Sequence, residues 1–209
     1  MRFSEESLTA LYESVREQMS EYRFVHTAEV EKMAVRLGKL YAPDKLDKLR
    51  AAALLHDITK EYTVDAHAKL IERGGESLSA LDRLSYKTLH ARSAVELIKE
   101  KYSEFADTHV LDAVRYHTTG RADMSVCEMI IYLADYIDDS RKFDDCVKLR
   151  NYFWDAHPEN MSAEQREEHL LRTLLLSFDM TIISLTNEGS PISIETVSAR
   201  NSVVLALKK

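Results

Sequence analysis

The segment ALLHDITK, Ala53 to Lys60, decides how this chain is read. Its apolar start leads into adjacent His56 and Asp57, both able to bind a metal ion, and then into Thr59 and Lys60. Neighbours on a helix point about 100° apart, so both side chains can reach one ion from a single turn. Two ligands do not make a site, and the others must come from elsewhere. Upstream, His26 lies one turn before Val30 on a stripe with Met33, Leu37 and Leu40. Downstream, Asp135 interrupts the apolar run MIIYLADYI, where a carboxylate is costly unless paired or metal-bound. Two imidazoles and two carboxylates suit octahedral divalent iron, manganese, cobalt or nickel better than a structural zinc tetrahedron. Each residue alone has a bland explanation, a core histidine or a capping aspartate, so the assignment rests on the ordered set.

Outward from this segment the apolar residues recur at helical spacing nearly everywhere, and the spacing predicts an all-α fold. Ser4 with Glu5 and Glu6 suits a helix start. Pro43 and Asp44 open a helix that carries Leu46, Leu49, Ala53 and Leu54 and ends near His56 and Asp57. Another runs from Val64 to Arg73 and stops at Gly74 and Gly75. Further helices are expected from about Leu89 to Lys101 and from Asp107 to His117, the latter closed by Gly120. Ser125 with Glu128 and Ser162 with Gln165 read as capping boxes, each launching a helix. The end, Ile194 to Leu207, reads as helix rather than strand.

The chain has 209 residues, 45% of them hydrophobic and 30% charged, enough to bury a core in one domain over 1–209, with its centre at about 20–201. Three prolines and five glycines favour long helices. A net charge of −7 argues against non-specific binding to nucleic acid or anionic membrane. The acidic N-terminal stretch does not read as a signal peptide, and the longest unbroken apolar run, Met129 to Ala134, is short of a membrane span. A cytoplasmic protein is expected. Cys127 and Cys146 are too far apart for a zinc knuckle and read as buried free thiols. A homodimer is compatible with this size, though nothing in the sequence demands one.

Several side chains fit a phosphate site. His90 begins a helix and His117 ends one. Lys60 follows Asp57 by three positions, and Arg23 precedes His26 by three. Arg141 and Arg150 follow Asp135 and are equally readable as solvated charges. His67, His109, His157 and His169 sit in polar surroundings and read as surface residues, so His67→Ala is expected to change little. The chemistry these parts allow is metal-assisted phosphate hydrolysis. Lys60 and an arginine stabilise charge, Asp57 or Asp135 holds the attacking water, and His90 or His117 protonates the leaving group.

ALLHDITK, the lone His90, AVRYHTTGRADMS (Ala113 to Ser125), IIYLADYIDDSRKF (Ile130 to Phe143) and TVSARN (Thr196 to Asn201) resemble the YqeK branch of the HD superfamily. The likeness runs from about Arg23 to Asn201, and the HTTG and IIY-x-AD strings carry more of it than the HD pair does. The resemblance implies a helical HD fold and a bacterial symmetrical bis(5′-nucleosyl)-tetraphosphatase, which splits diadenosine tetraphosphate into two ADP. It implies iron at His26, His56, Asp57 and Asp135. It places ADP near Arg23, Asp57, Ile58, Thr59, Lys60, His90, His117, Asp135, Arg141, Thr196, Val197, Ser198, Ala199, Arg200 and Asn201. Two departures stand out: Asp138, Asp139 and Ser140 where the family has an acid-proline pair, and a longer polar stretch from Trp154 to Glu168 that reads as an extended loop. The alternatives are an HD phosphohydrolase acting on a nucleoside mono- or triphosphate or cyclic nucleotide, and a nucleotide sensor that does not cleave.

Overall fold

Serine, threonine and aspartate side chains start most of the helices in the computed structural model, which describes residues 2–208. Ser4, Ser20, Thr63, Ser79, Asp107, Ser125, Ser162 and Ser193 each accept a hydrogen bond from a backbone N–H of the first turn that they open. The helices are α1 (Glu5–Glu17), α2 (Glu21–Tyr41), α3 (Leu46–Leu55), α4 (Val64–Arg73), α5 (Ala80–Leu84) and α6 (Leu89–Lys101). They continue as α7 (Thr108–Tyr116), α8 (Val126–Ile137), α9 (Asp144–Trp154), α10 (Ala163–Asn187) and α11 (Ile194–Ala206). No strand occurs among the described residues, so the all-α expectation holds.

α3 sits at the centre. Its run Ala51, Ala52, Ala53, Leu54 and Leu55 is wholly buried, and α1, α2, α7 and α8 all pack on it. Three small alanines let these neighbours approach closely, which is what brings side chains from different helices to one point. α2 and α7 also pack on α8, whose Ile130, Ile131, Leu133, Ala134 and Ile137 are fully buried. α4 lies on α6, while α9, α10 and α11 form the far side. Cys127 and Cys146 are buried and free, as the sequence suggests.

Four sequence readings need correction. The third helix begins at Leu46, because Pro43–Lys45 forms a separate 3-10 turn. α9 was not foreseen: Phe143 caps it without a side-chain hydrogen bond, and Asp144 and Asp145 in its first turn are the only start signal. The stretch from Trp154 to Glu168 is not an extended loop. Left-handed His157, a 3-10 turn at Pro158–Asn160 and the first residues of α10 account for most of it. His67 and His169 are buried rather than at the surface. His67 Nδ1 lies 2.7 Å from Ser93 Oγ, and His169 Nε2 lies 3.0 Å from the Phe153 carbonyl oxygen. His109 is half-buried, and His157 is exposed as expected.

α10 reaches a mean hydropathy of 1.2 over 18 residues, so by length and composition it could cross a membrane. Ser177, Asp179 and Thr181 break its apolar run, which is why no long run is visible in the sequence. It packs along α9 and α11.

Candidate metal and phosphate site

The end of α3 meets α2, α6, α7 and α8 at Asp57. His56 caps α3, and Asp57 stands in the following turn rather than on the helix itself. Its two oxygens face different partners. Oδ2 lies 2.8 Å from Arg23 Nη1, 3.6 Å from His56 Nε2 and 3.9 Å from His26 Nε2. Oδ1 lies 3.1 Å from His90 Nε2, 3.7 Å from His117 Nε2 and 3.9 Å from Lys60 Nζ. Asp135 Oδ1 stands 3.0 Å from His26 Nε2 and 3.8 Å from His56 Nε2, and Arg141 donates to the same oxygen. The structure thus brings together His26, His56, Asp57, Lys60, His90, His117, Asp135, Arg23 and Arg141.

The backbone fixes which nitrogen each histidine offers. His56 Nδ1 lies 2.6 Å from the Ala53 carbonyl oxygen and His117 Nδ1 lies 2.7 Å from that of Val114. A carbonyl only accepts, so both protons sit on Nδ1 and both Nε2 lone pairs face the cluster. His26 Nδ1 faces Ser140 Oγ at 3.3 Å and Asp138 Oδ2 at 3.4 Å, again turning Nε2 inward. Nε2 of His26 and of His56 is buried without a hydrogen-bond partner. The 3.0 Å approach of Asp135 to His26 is a close contact in poor hydrogen-bonding alignment. Buried orphan nitrogens cost about 1–3 kcal/mol each. A divalent ion meets that need, since three sets of donors, His26/His56/Asp57, His56/His117/Asp135 and Asp57/His90/His117, each lie within 4.8 Å of one another. The residues present fit a metal.

The charges are arranged to match. Burial alone would raise the Asp57 carboxyl, but His56, His117 and His90 outweigh it and hold it well below the usual range. Burial likewise opposes ionisation of Asp135, and Arg141 and His26 overcome it. Burial lowers His56 to about 4 and His90 to about 3. It also works to lower His26, yet Asp135 and Asp138 raise that imidazole to about 9. Burial lowers Lys60, whose Nζ lies 3.1 Å from His90 Nε2 and 3.3 Å from its Nδ1.

One residue of the site escaped sequence reasoning and another was left open by it. Asp138 is fully buried, holds His26 and accepts from the Ser140 backbone at 2.9 Å. The signal was a carboxylate at the C-terminal end of α8, where the helix dipole disfavours negative charge. Arg150, equally readable from the sequence as a site residue or a solvated charge, donates to the carbonyls of Asp138 and Arg141 and so fixes the turn that carries Arg141.

The remaining expectations are placed differently. Ile58 is buried, and Thr59 Oγ1 donates to the His90 carbonyl at 2.9 Å, so their side chains brace the turn. Thr196 and Ala199 are buried on α11, and Ala199 reaches Gly120, three residues after His117. Arg200 pairs with Asp179 at 2.7 Å, while Val197 and Asn201 are exposed and Ser198 is half-buried. The 196–201 segment therefore packs against the turn behind His117. Thr118 Oγ1, in that turn, is buried without a partner.

The family model for the HD domain matches residues 23–139, which hold His26, His56, Asp57, His90, His117 and Asp135. The chain is 34% identical over 196 residues to the symmetrical bis(5′-nucleosyl)-tetraphosphatase of Halalkalibacterium halodurans, covering 93% of this chain and 95% of that protein. It is 28% identical over 190 residues to the enzyme of that name from Bacillus subtilis, covering 91% and 94%. A crystal structure of a predicted HD superfamily hydrolase involved in NAD metabolism, from Clostridium acetobutylicum, superposes with a TM-score of 0.80 at 29% identity, covering 99% of this chain and 100% of that one. Donor geometry, helical architecture and near full-length similarity agree, and the chain belongs to the HD domain family, in its branch of symmetrical bis(5′-nucleosyl)-tetraphosphatases.

Proposed function

We propose that the protein hydrolyses diadenosine tetraphosphate symmetrically into two ADP, acting as one domain over its whole length in the cytoplasm. The observation that carries this reading is the division of Asp57 between a set of metal donors and a set of phosphate-binding groups. His26, His56, Asp57 and Asp135 hold a divalent ion, which we assign as iron. When bound, that ion lowers the pKa of water and draws charge from a phosphoryl oxygen. Asp57 and Asp135, both ionised, orient the attacking water by accepting from it. Arg23, Lys60 and Arg141 supply positive charge to phosphate oxygens as the bond between phosphorus and the leaving ADP oxygen breaks. Lys60 Nζ donates to His90 Nδ1, 3.3 Å away, and His90 Nε2 donates to His117 Nε2 at 3.0 Å. Along this chain a proton passes to His117 and from its Nε2 to that departing oxygen. Ile58 and Thr59 present backbone to the nucleotide, and Thr196 to Asn201 support the turn after His117.

Anaerobically purified, iron-loaded protein incubated with diadenosine tetraphosphate tests this. ADP as sole product, abolished by chelator, is the expected result. ATP with AMP would refute midpoint cleavage, and no cleavage at all would favour another nucleotide or a sensor.

A further inference from the structure

His26 differs from His56 and His117 in how its ring is held. Those two follow the last residues of their helices, where carbonyl oxygens of the final turn are free to accept from Nδ1. His26 stands inside α2, whose carbonyls are taken up by the helix ladder, so its Nδ1 needs an acceptor from outside. The turn after α8 supplies it. Asp138 caps that helix with extended backbone, and its Oδ1 accepts from the Ser140 N–H at 2.9 Å and from the Ser140 hydroxyl. A hydroxyl has a single proton to give. With that proton on Asp138, Ser140 Oγ offers only lone pairs to His26 Nδ1, 3.3 Å away. Asp138 Oδ2, buried and without a hydrogen-bond partner, stands 3.4 Å from the same nitrogen.

A carboxylate buried at the C-terminal end of a helix is costly. The turn does not depend on it, because Arg150 pins the backbone through the carbonyls of Asp138 and Arg141. The remaining carboxylate oxygen faces Nδ1 of a histidine whose other nitrogen, Nε2, is buried beside Asp57 and Asp135. We propose that Asp138 and Ser140 are positioning residues of the metal centre, which hold the hydrogen of His26 on Nδ1 and so turn the Nε2 lone pair toward the ion. This role rests on the proposed function, in which His26 binds the ion. Neither side chain is itself a ligand.

Asp138→Asn keeps the shape and inverts the requirement. The Ser140 N–H still needs an oxygen, so the amide oxygen takes the place of Oδ1 and the NH2 group faces His26. Nδ1 must then accept, and the hydrogen moves to Nε2, where the ion binds. Asp138→Ala imposes neither tautomer. A cavity of about 700 Å³ whose lining includes His26 and Ser140 opens beside the turn, and water from it satisfies Nδ1 in either sense. The test is calorimetric titration of the full chain with manganese, beside the Tm of the metal-free protein. Asp138→Asn should bind manganese about 10–100-fold more weakly than wild type. It should also bind more weakly than Asp138→Ala, although Asp138→Ala melts lower. Ser140→Ala should lose affinity as well, and Ser140→Thr, which keeps the hydroxyl, should bind as wild type does. A purely structural role gives the reverse order, with the isosteric variant milder in both readings. That order overturns the positioning role, as does wild-type affinity in Asp138→Asn, and in both cases the metal assignment stands. If the wild type binds no manganese, the metal assignment fails and the positioning role with it.

Discussion

Asp57 serves two groups of partners at once, Arg23 and the His26/His56 pair through one oxygen, and His90, His117 and Lys60 through the other. Asp57→Ala is therefore expected to lose metal and turnover together, by at least about a hundredfold in kcat; metal analysis of the purified variant beside its ADP release checks both. His67 sits behind the site, bonded to Ser93, which bonds Thr59 in turn. Correcting the surface reading reverses the expectation for His67→Ala: it should destabilise the fold by about 1 kcal/mol and lower activity by loosening the Thr59 brace, measurable by urea unfolding. A variant as stable and active as wild type would sink that role. The clustering of His26, His56, Asp57 and Asp135 was legible because a carboxylate in an apolar run and a paired His-Asp are costly where they stand. His67, His169 and Asp138 were not, since their burial is set by helices distant in sequence.

α8 shows how an element aims a functional side chain. Ser125 and Glu128 close its first turn as a capping box, and Arg121 pairs with the buried Glu128. That start sets the rotation that carries Asp135 inward. Burial pushes the Glu128 carboxyl up, but Arg121 and Ser125 outweigh it and hold the pKa below the usual 4.5. The resulting stability is complete above about pH 4.5 and is lost as pH falls through the lower folded value. Glu128→Gln should cost about 2 kcal/mol at pH 7 and should flatten the acid side of the stability profile, read from melts between pH 3 and 7. Capped elements such as α1, α8 and α10 were legible from their first residues. The start of α9 carries no side-chain cap, and Asp144 and Asp145 in its first turn are a weaker signal than the serine caps elsewhere.

At the scale of the molecule, five helices converge on a point where two buried imidazole nitrogens lack partners. An ion that binds there stabilises the native state alone, so a metal present at a thousandfold its Kd adds about 4 kcal/mol. Chelation should lower Tm by about 10 °C in a domain of this size, and re-addition of iron or manganese should restore it. Equal melting temperatures with and without chelator would contradict a metal held by the fold. The HD assignment and the all-α architecture were both readable in advance because periodicity and motif agree along nearly the whole chain. The cavity beside His26 was not, because its lining comes from the start of α2 and from the segment 140–143, which lie far apart in sequence.

The donors are also ordered in time. His56 and Asp57 leave a translating ribosome about 4–16 s before Asp135 at ordinary elongation rates, and His26 earlier still. Until α8 emerges and docks on α2 and α3, a nascent chain offers an ion only part of its cage. In the proposed reading, metal capture is thus a late event, belonging to a nearly finished chain, and the ion adds its stabilisation only after most of the helices are in place.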